Sequence, residues 1–137
     1  MSYSPTKVLI IDDHRETREL VANIIVQHNL DVLCAPGGRE GIQVAKFKNP
    51  DVILLDMQMP HFDGITTCKA LKRIPAIKDI PVIFLTANTE PEIIKQAIAS
   101  GGIDYIAKPF NPEDLMARIF KVTRKSGFDP GSVVKGV

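Results

Sequence analysis

Three carboxylates, a hydroxyl and an ammonium stand where separate apolar runs end. Lys7-Val-Leu-Ile-Ile11 runs into Asp12-Asp13, Asp51-Val-Ile-Leu-Leu55 into Asp56, Pro81-Val-Ile-Phe-Leu85 into Thr86, and Asp104-Tyr-Ile-Ala107 into Lys108-Pro109. Carboxylates brought together repel unless a cation or a proton intervenes. Their oxygens suit a hard divalent cation such as Mg2+, which takes oxygen ligands in octahedral geometry. Asp13 and Asp56 would bind it directly, and Asp12 directly or through water. A carboxylate is also a nucleophile towards phosphorus, and an aspartyl phosphate is the product. That transfer needs an in-line approach and neutralisation of charge on the equatorial oxygens. Lys108 and Thr86 can supply an ammonium and a hydroxyl donor, and Asp56, on the strand expected to be central, is the best nucleophile. Taken singly, an Asp or Thr at a strand end is usually a cap or turn former, and a lysine before proline is usually solvated. Their concurrence at the ends of separate buried strands argues for a shared site.

The elements that must position these groups are legible as an alternation. Apolar runs of four or five residues bounded by turn signals read as buried parallel strands. After the first strand, Arg15 to His28 carries Leu20, Val21, Ile24 and Ile25 at helical spacing. Asp31-Val-Leu-Cys-Ala35 is a short second strand, and Pro36-Gly37-Gly38 breaks the chain before a helix from about Arg39 to Lys48. A third helix is expected from Gly64 to Arg73, with Ile65, Cys68 and Leu71 inward. Glu90 to Ser100 carries the stripe Ile93, Ile94, Ala97, Ile98 and stops at Gly101-Gly102. Asn111-Pro112-Glu113-Asp114 reads as an N-cap, a proline at the first helical position and acids in the first turn of a helix running to about Thr123. Alternating strands and helices imply an α/β fold, a doubly wound five-stranded parallel sheet with helices on both faces. Ligands of such sheets bind at the carboxyl ends of the strands, where the acids lie.

The chain has 137 residues, which suits one domain with a real core. Residues 1–123 are expected to form it, and 124–137, with Gly127, Pro130, Gly131 and Gly136, to form a tail or linker. A formal net charge of +1 gives no global field towards nucleic acid or membrane. Arg118, Lys121, Arg124 and Lys125 give the last helix a basic end, but no helix-turn-helix or zinc pattern follows, so DNA binding is not expected. Cys34 and Cys68 lack metal-ligand spacing, and no apolar run approaches the roughly 20 residues that cross a bilayer. With no signal-peptide pattern at Met1-Ser-Tyr-Ser-Pro-Thr6, the cytoplasm is the expected location. His14, His28 and His61 form no metal set; His14 adjoins the acids, and a surface histidine is the expected reading.

Val8-Leu-Ile-Ile-Asp-Asp13, Leu54-Leu-Asp-Met-Gln-Met-Pro60, Asp63-Gly64, Leu85-Thr-Ala87 and Asp104-Tyr-Ile-Ala-Lys-Pro-Phe110 together resemble the receiver domain of bacterial two-component response regulators. The resemblance covers residues 7–123 and implies the flavodoxin-like strand order 2-1-3-4-5. It implies that Asp56 is the phosphoacceptor, that Asp12 and Asp13 hold Mg2+ with Asp56 and the Gln58 carbonyl, and that Lys108 bridges to the phosphoryl group. Thr86 looks like the switch hydroxyl and Tyr105 like the switch aromatic, and the Lys108-Pro109 peptide bond is expected to be cis. Without the resemblance, Tyr105 reads equally as a packing residue. The implied function is a phosphorelay switch charged by a sensor histidine kinase or a phosphotransfer protein. Such a domain is not an enzyme on other substrates and catalyses only its own phosphorylation and dephosphorylation.

Gln58 and Asn88 stand where the family tunes phosphate lifetime. The transcription-factor subgroup forms a phosphorylation-dependent dimer through the fourth helix, fifth strand and last helix. Arg118 matches a basic position of that face, whereas Ile103-Asp104 replaces its pair of acids. Rival readings fit less well. Phosphatases resembling the haloacid dehalogenases place a second acid two residues after the nucleophile, where this chain has Gln58, or His14 after Asp12. A flavin carrier needs a phosphate loop after the first strand, and Asp12-Asp13 would repel the phosphate. A module that binds partners without phosphorylation would not need the complete pocket.

Overall fold

The computed structural model describes residues 5–123. The expected tail, with Arg124 and Lys125, lies outside the described residues. The order is β1 (Lys7–Ile11), α1 (Arg15–Gln27), β2 (Asp31–Ala35), α2 (Gly38–Lys48), β3 (Val52–Asp56), α3 (Gly64–Lys72), β4 (Val82–Thr86), α4 (Pro91–Ala99), β5 (Asp104–Ala107) and α5 (Pro112–Thr123). The strands form a single five-stranded sheet in the order β2-β1-β3-β4-β5, every pairing parallel. The fold class and strand order are those expected.

Strand side chains alternate between two cores. Leu9, Ile11, Ile53, Leu55 and Phe84 face α2, α3 and α4 through Ala45, Cys68, Leu71 and Ala97. Val8, Ile10, Leu54, Ile83 and Leu85 face α1 and α5 through Val21, Ile24, Ile25, Leu115, Met116 and Ile119. The strands β3 and β4 are buried at every residue. Burying an aliphatic or aromatic side chain contributes about 1.5–3 kcal/mol, so these runs set the sheet's centre. Caps fix the helix starts. Asp63 Oδ1 accepts from the Thr66 N–H at 2.8 Å, and Asn111 Oδ1 from the Glu113 N–H at 2.7 Å, the latter as its sequence pattern requires.

Two expected inward residues point out. Leu20 is 54% exposed because α1 packs on Val21, Ile24 and Ile25, and Leu20 falls just outside that arc, about 40° beyond its edge at Ile24. Ile98 is 47% exposed because α4 sinks only Ala97 fully and lies over the short outer strand β5.

One contact couples the packing to the acids. The Gly64 N–H donates to the Met57 carbonyl at 3.1 Å, bringing the start of α3 against the end of β3. A Cβ at Gly64 would collide with the Asp56 carbonyl oxygen and stand 2.9 Å from Met57 Cα, both rigid backbone. Gly64→Ala is therefore expected to lower stability by about 1–3 kcal/mol in urea denaturation, the usual range for overpacking.

Candidate functional site

The acids converge because three parallel strands stop at the same level. Leu55 pairs with Ile11 and Asp56 with Leu85, so the residues after β1 and the last residues of β3 and β4 share one edge. The Asp12 N–H donates to the Ala35 carbonyl at 3.1 Å, tying the β1–α1 loop to β2. Asp12 is fully buried, and its Oδ1 accepts from the His14 N–H at 2.8 Å. The Lys108 N–H donates to the Thr86 carbonyl at 2.8 Å, which aims the lysine from the end of β5 back across the sheet. Its Nζ lies 3.1 Å from Asp56 Oδ1 and 3.4 Å from Asp12 Oδ2. The Lys108-Pro109 bond is cis, as expected.

One donor atom each from Asp12, Asp13, His14 and Asp56 lies within 4.8 Å of all the others. The residues fit a hard cation on a further count: Asp13 Oδ1 is buried without a hydrogen-bond partner among the described residues. His14 Nδ1 stands 3.2 Å from that oxygen and 3.4 Å from Asp12 Oδ1, but lacks hydrogen-bond geometry and attracts only when protonated. The histidine expected to be a plain surface residue is thus exposed and still a neighbour of the acids.

Asp56 Oδ1 carries both recorded hydrogen bonds, from Lys108 Nζ at 3.1 Å and the Gln58 N–H at 3.3 Å. Oδ2 has no partner among the described residues, which leaves one oxygen able to act as a nucleophile. Burial raises the Asp56 carboxyl above the ordinary carboxylate range, Asp12 raises it further, and Lys108 and the Gln58 N–H pull it back only in part.

Thr86 is buried, and its hydroxyl donates to the Asn88 carbonyl at 2.9 Å while accepting from the Asn88 N–H at 3.0 Å. Tyr105 is half-buried and packs against the core on the α2–α4 face. Arg118 Nη1 bonds Asp104 Oδ1 at 2.7 Å within the chain, so the residue that matches a basic position of the subgroup's dimer face is already paired. Within Pro36-Gly37-Gly38 it is Gly38 that has a packing reason: a Cβ there would strike Thr67 Oγ1 and the Phe62 ring, where α2 begins against α3. Beside Asp13, the β2–α2 and β3–α3 loops border a cleft of about 240 Å³ whose lining includes Arg39 and Phe62, the guanidinium 5.4 Å from the ring centroid.

Arg18 was not singled out from the sequence. Its Nη1 donates to the Asp12 carbonyl at 2.8 Å and pins the loop that carries the two acids. The available signal was a cation near a helix N-terminus, where the macrodipole disfavours it unless a partner exists.

The sequence matches the family described as the response regulator receiver domain over residues 8–120. The chain belongs to that family. The receiver is 38% identical over 120 residues to the phosphate regulon transcriptional regulatory protein PhoB of Pseudomonas aeruginosa, covering 88% of this chain and 52% of that protein. It is 37% identical over 120 residues to the DNA-binding dual master transcriptional regulator RpaA of Synechocystis, covering 88% and 50%. The chain spans about half the length of these curated relatives. Among solved structures, the chemotaxis protein CheY4 of Vibrio cholerae superposes with a TM-score of 0.84 at 33% identity, over 87% of this receiver and 99% of that chain. A response regulator from Chloroflexus aurantiacus gives 0.85 at 30%, over 89% and 100%. The receiver is a phosphorelay signalling domain, and no helix among its described residues is long and apolar enough to cross a membrane.

The raised Asp56 carboxyl has a thermodynamic consequence. The folded receiver holds this proton to higher pH than the unfolded chain does, so the contribution of Asp56 is fully present below the ordinary carboxylate range and is lost as pH rises through the raised value. In chelator, Asp56→Asn should therefore melt above wild type at neutral pH, and the gap should shrink as pH falls into the carboxylate range. Thermal melts across pH check this; a gap independent of pH would contradict it.

Proposed function

We propose that this receiver takes a phosphoryl group onto Asp56 from a sensor histidine kinase or a phosphotransfer protein, in the cytoplasm. The observation that carries the reading is the division of labour on Asp56. Lys108 and the Gln58 N–H occupy Oδ1, and Oδ2 stays available. In the transfer, Asp56 Oδ2 forms a bond to phosphorus as the bond to the donor nitrogen breaks in line. The Lys108 ammonium, already within reach of Asp56, meets the charge on an incoming phosphoryl oxygen. Asp12, Asp13, Asp56 and the Gln58 carbonyl are the groups that would hold Mg2+, and the unpartnered Asp13 Oδ1 supports this donor set. Bound there, the ion would neutralise negative charge on the phosphoryl oxygens. The same groups serve hydrolysis of the aspartyl phosphate, so the receiver catalyses its own charging and discharge and acts on no other substrate.

Thr86 is the relay in this reading. Its hydroxyl has one proton, now given to the Asn88 carbonyl. A phosphoryl oxygen on Asp56 competes for that proton, and when it wins, the Asn88 carbonyl loses its donor in the β4–α4 loop. Tyr105, on the neighbouring strand, then fills the space that Thr86 vacates. Phosphate shifts the population only by the difference in its bonding to the two arrangements, typically about 1–3 kcal/mol for such couplings.

Because the relatives are about twice as long, residues 124–137 are proposed as the linker of the 1–123 receiver to an output region, and DNA binding by such a region would not be a property of the receiver. The face formed by α4, β5 and α5 would carry the response, including any phosphorylation-dependent dimer.

Incubated with acetyl phosphate and Mg2+, the receiver should gain a base-labile phosphoryl group, and Asp56→Asn should abolish it; undiminished labelling of the variant would overturn the assignment. Asp13→Ala should weaken Mg2+ binding and nearly stop labelling, read by titration and by intact mass. Thr86→Ala should still be labelled, while beryllofluoride-induced amide shifts from Ile94 to Tyr105 should fall well below those of wild type. Equal shifts in the two proteins would remove Thr86 from the relay.

A further inference from the structure

The outer edge of β2 is the least protected part of the sheet. The residues of β2 pair with β1 on one side, and their remaining recorded backbone bonds, to Thr6 and from Asp12, lie on that side too. No described residue pairs with the other side. Edge strands are commonly guarded by an inward charge, a proline or a bulge. The middle of β2, Val32-Leu33-Cys34, carries none of these. The opposite edge differs, because β5 holds the Asp104–Arg118 ion pair.

An apolar surface flanks the bare edge. Leu33, Cys34, Val44 and Phe47 line a groove of about 420 Å³ between β2 and α2, closed by Gln43 and Lys48. Phe47 is 81% exposed, an uncommon position for an aromatic ring. Glu40, Val44, Phe47 and Lys48 follow helical spacing down the side of α2 nearest the edge, Glu40 in the first turn and Lys48 in the last. Eight residues separate the two charges, about 12 Å along the helix.

We infer that this face pairs with a second copy of the chain, β2 against β2 in antiparallel register about a two-fold axis at Leu33. The two sheets become one sheet of ten strands. The axis at Leu33 lies beside Val44, which borders the same groove, so Phe47 of each copy packs towards the other's α2. The axis also exchanges the ends of α2: Glu40 of each copy meets Lys48 of the other, which gives opposite charges at both rims. A head-to-tail contact, β2 against β5, would instead set the bare edge against a charged one and would not close. The proposed face is separate from that of α4, β5 and α5 and does not depend on Asp56.

Sedimentation equilibrium of the full 137-residue chain, unphosphorylated and in reducing buffer, tests the pairing. The expected result is a reversible monomer–dimer equilibrium. Glu40→Lys and Lys48→Glu should each weaken the dimer about tenfold, since each breaks two symmetry-related pairs, and the double exchange should restore it. Both positions are exposed helix sites, so the variants should fold as wild type, which far-UV circular dichroism and melting can confirm. Phe47→Asp should abolish association. Three results would overturn the inference: a monomer at every concentration, a dimer indifferent to Phe47→Asp, or charge variants that weaken it without mutual rescue. If removal of residues 124–137 is needed before a dimer forms, the groove's occupant is this chain's own tail and the inference fails.

Discussion

The Lys108 ammonium lies between two carboxylates at one end of the sheet, and the site depends on that placement. Two unit charges 4 Å apart interact by about 4 kcal/mol at an effective dielectric of 20. Repulsion between a few such acids would rival the roughly 5–15 kcal/mol by which a domain is stable. Lys108 holds Asp12 and Asp56 against that repulsion at 3.4 and 3.1 Å. It compensates only in part, since Asp56 remains raised and Asp13 Oδ1 has no partner among the described residues. The residual imbalance leaves the pocket receptive both to a cation and to a group that brings its own oxygens.

Backbone bonds, more than side-chain packing, hold the geometry. Asp12 is tied to Ala35 through its N–H and to Arg18 through its carbonyl, while Lys108 is tied through its N–H to Thr86. Gly64 presses the start of α3 against the carbonyl of Asp56. In the proposed switch, Thr86 and Tyr105 are the side chains that would rearrange against this fixed frame. The Thr86 hydroxyl cannot give its one proton to both the Asn88 carbonyl and a phosphoryl oxygen, so the proposed switch would be a competition between acceptors.

Much of this was legible in the sequence, for identifiable reasons. Buried parallel strands read as uninterrupted apolar runs, so the ends of β1, β3 and β4 and the polar residues just past them could be located. The strand order was not readable from periodicity and came from the resemblance. Helix faces were less legible. Leu20 and Ile98 fall near an apolar stripe, yet point outward, because the width of a buried arc depends on how closely a helix sits on the sheet. Arg18 escaped notice since its partner is a backbone carbonyl, which carries no residue signature. The proximity of His14 to the acids was visible as adjacency, but its ring position beside two carboxylates required coordinates.

The Lys108–Asp12 contact joins residues 96 positions apart. A chain leaving the ribosome therefore displays its acids long before it possesses the lysine, and chains generally fold from the N-terminus as synthesis proceeds. A nascent receiver that has emerged only through α4 has β1, β3 and β4 to pair, but its carboxylates stand uncompensated. Completion of β5 both closes the sheet and delivers the missing positive charge. β5, the last of the five described strands, is thus the one that brings the ammonium to the acids, so a product cut short before it would present carboxylates without their partner cation.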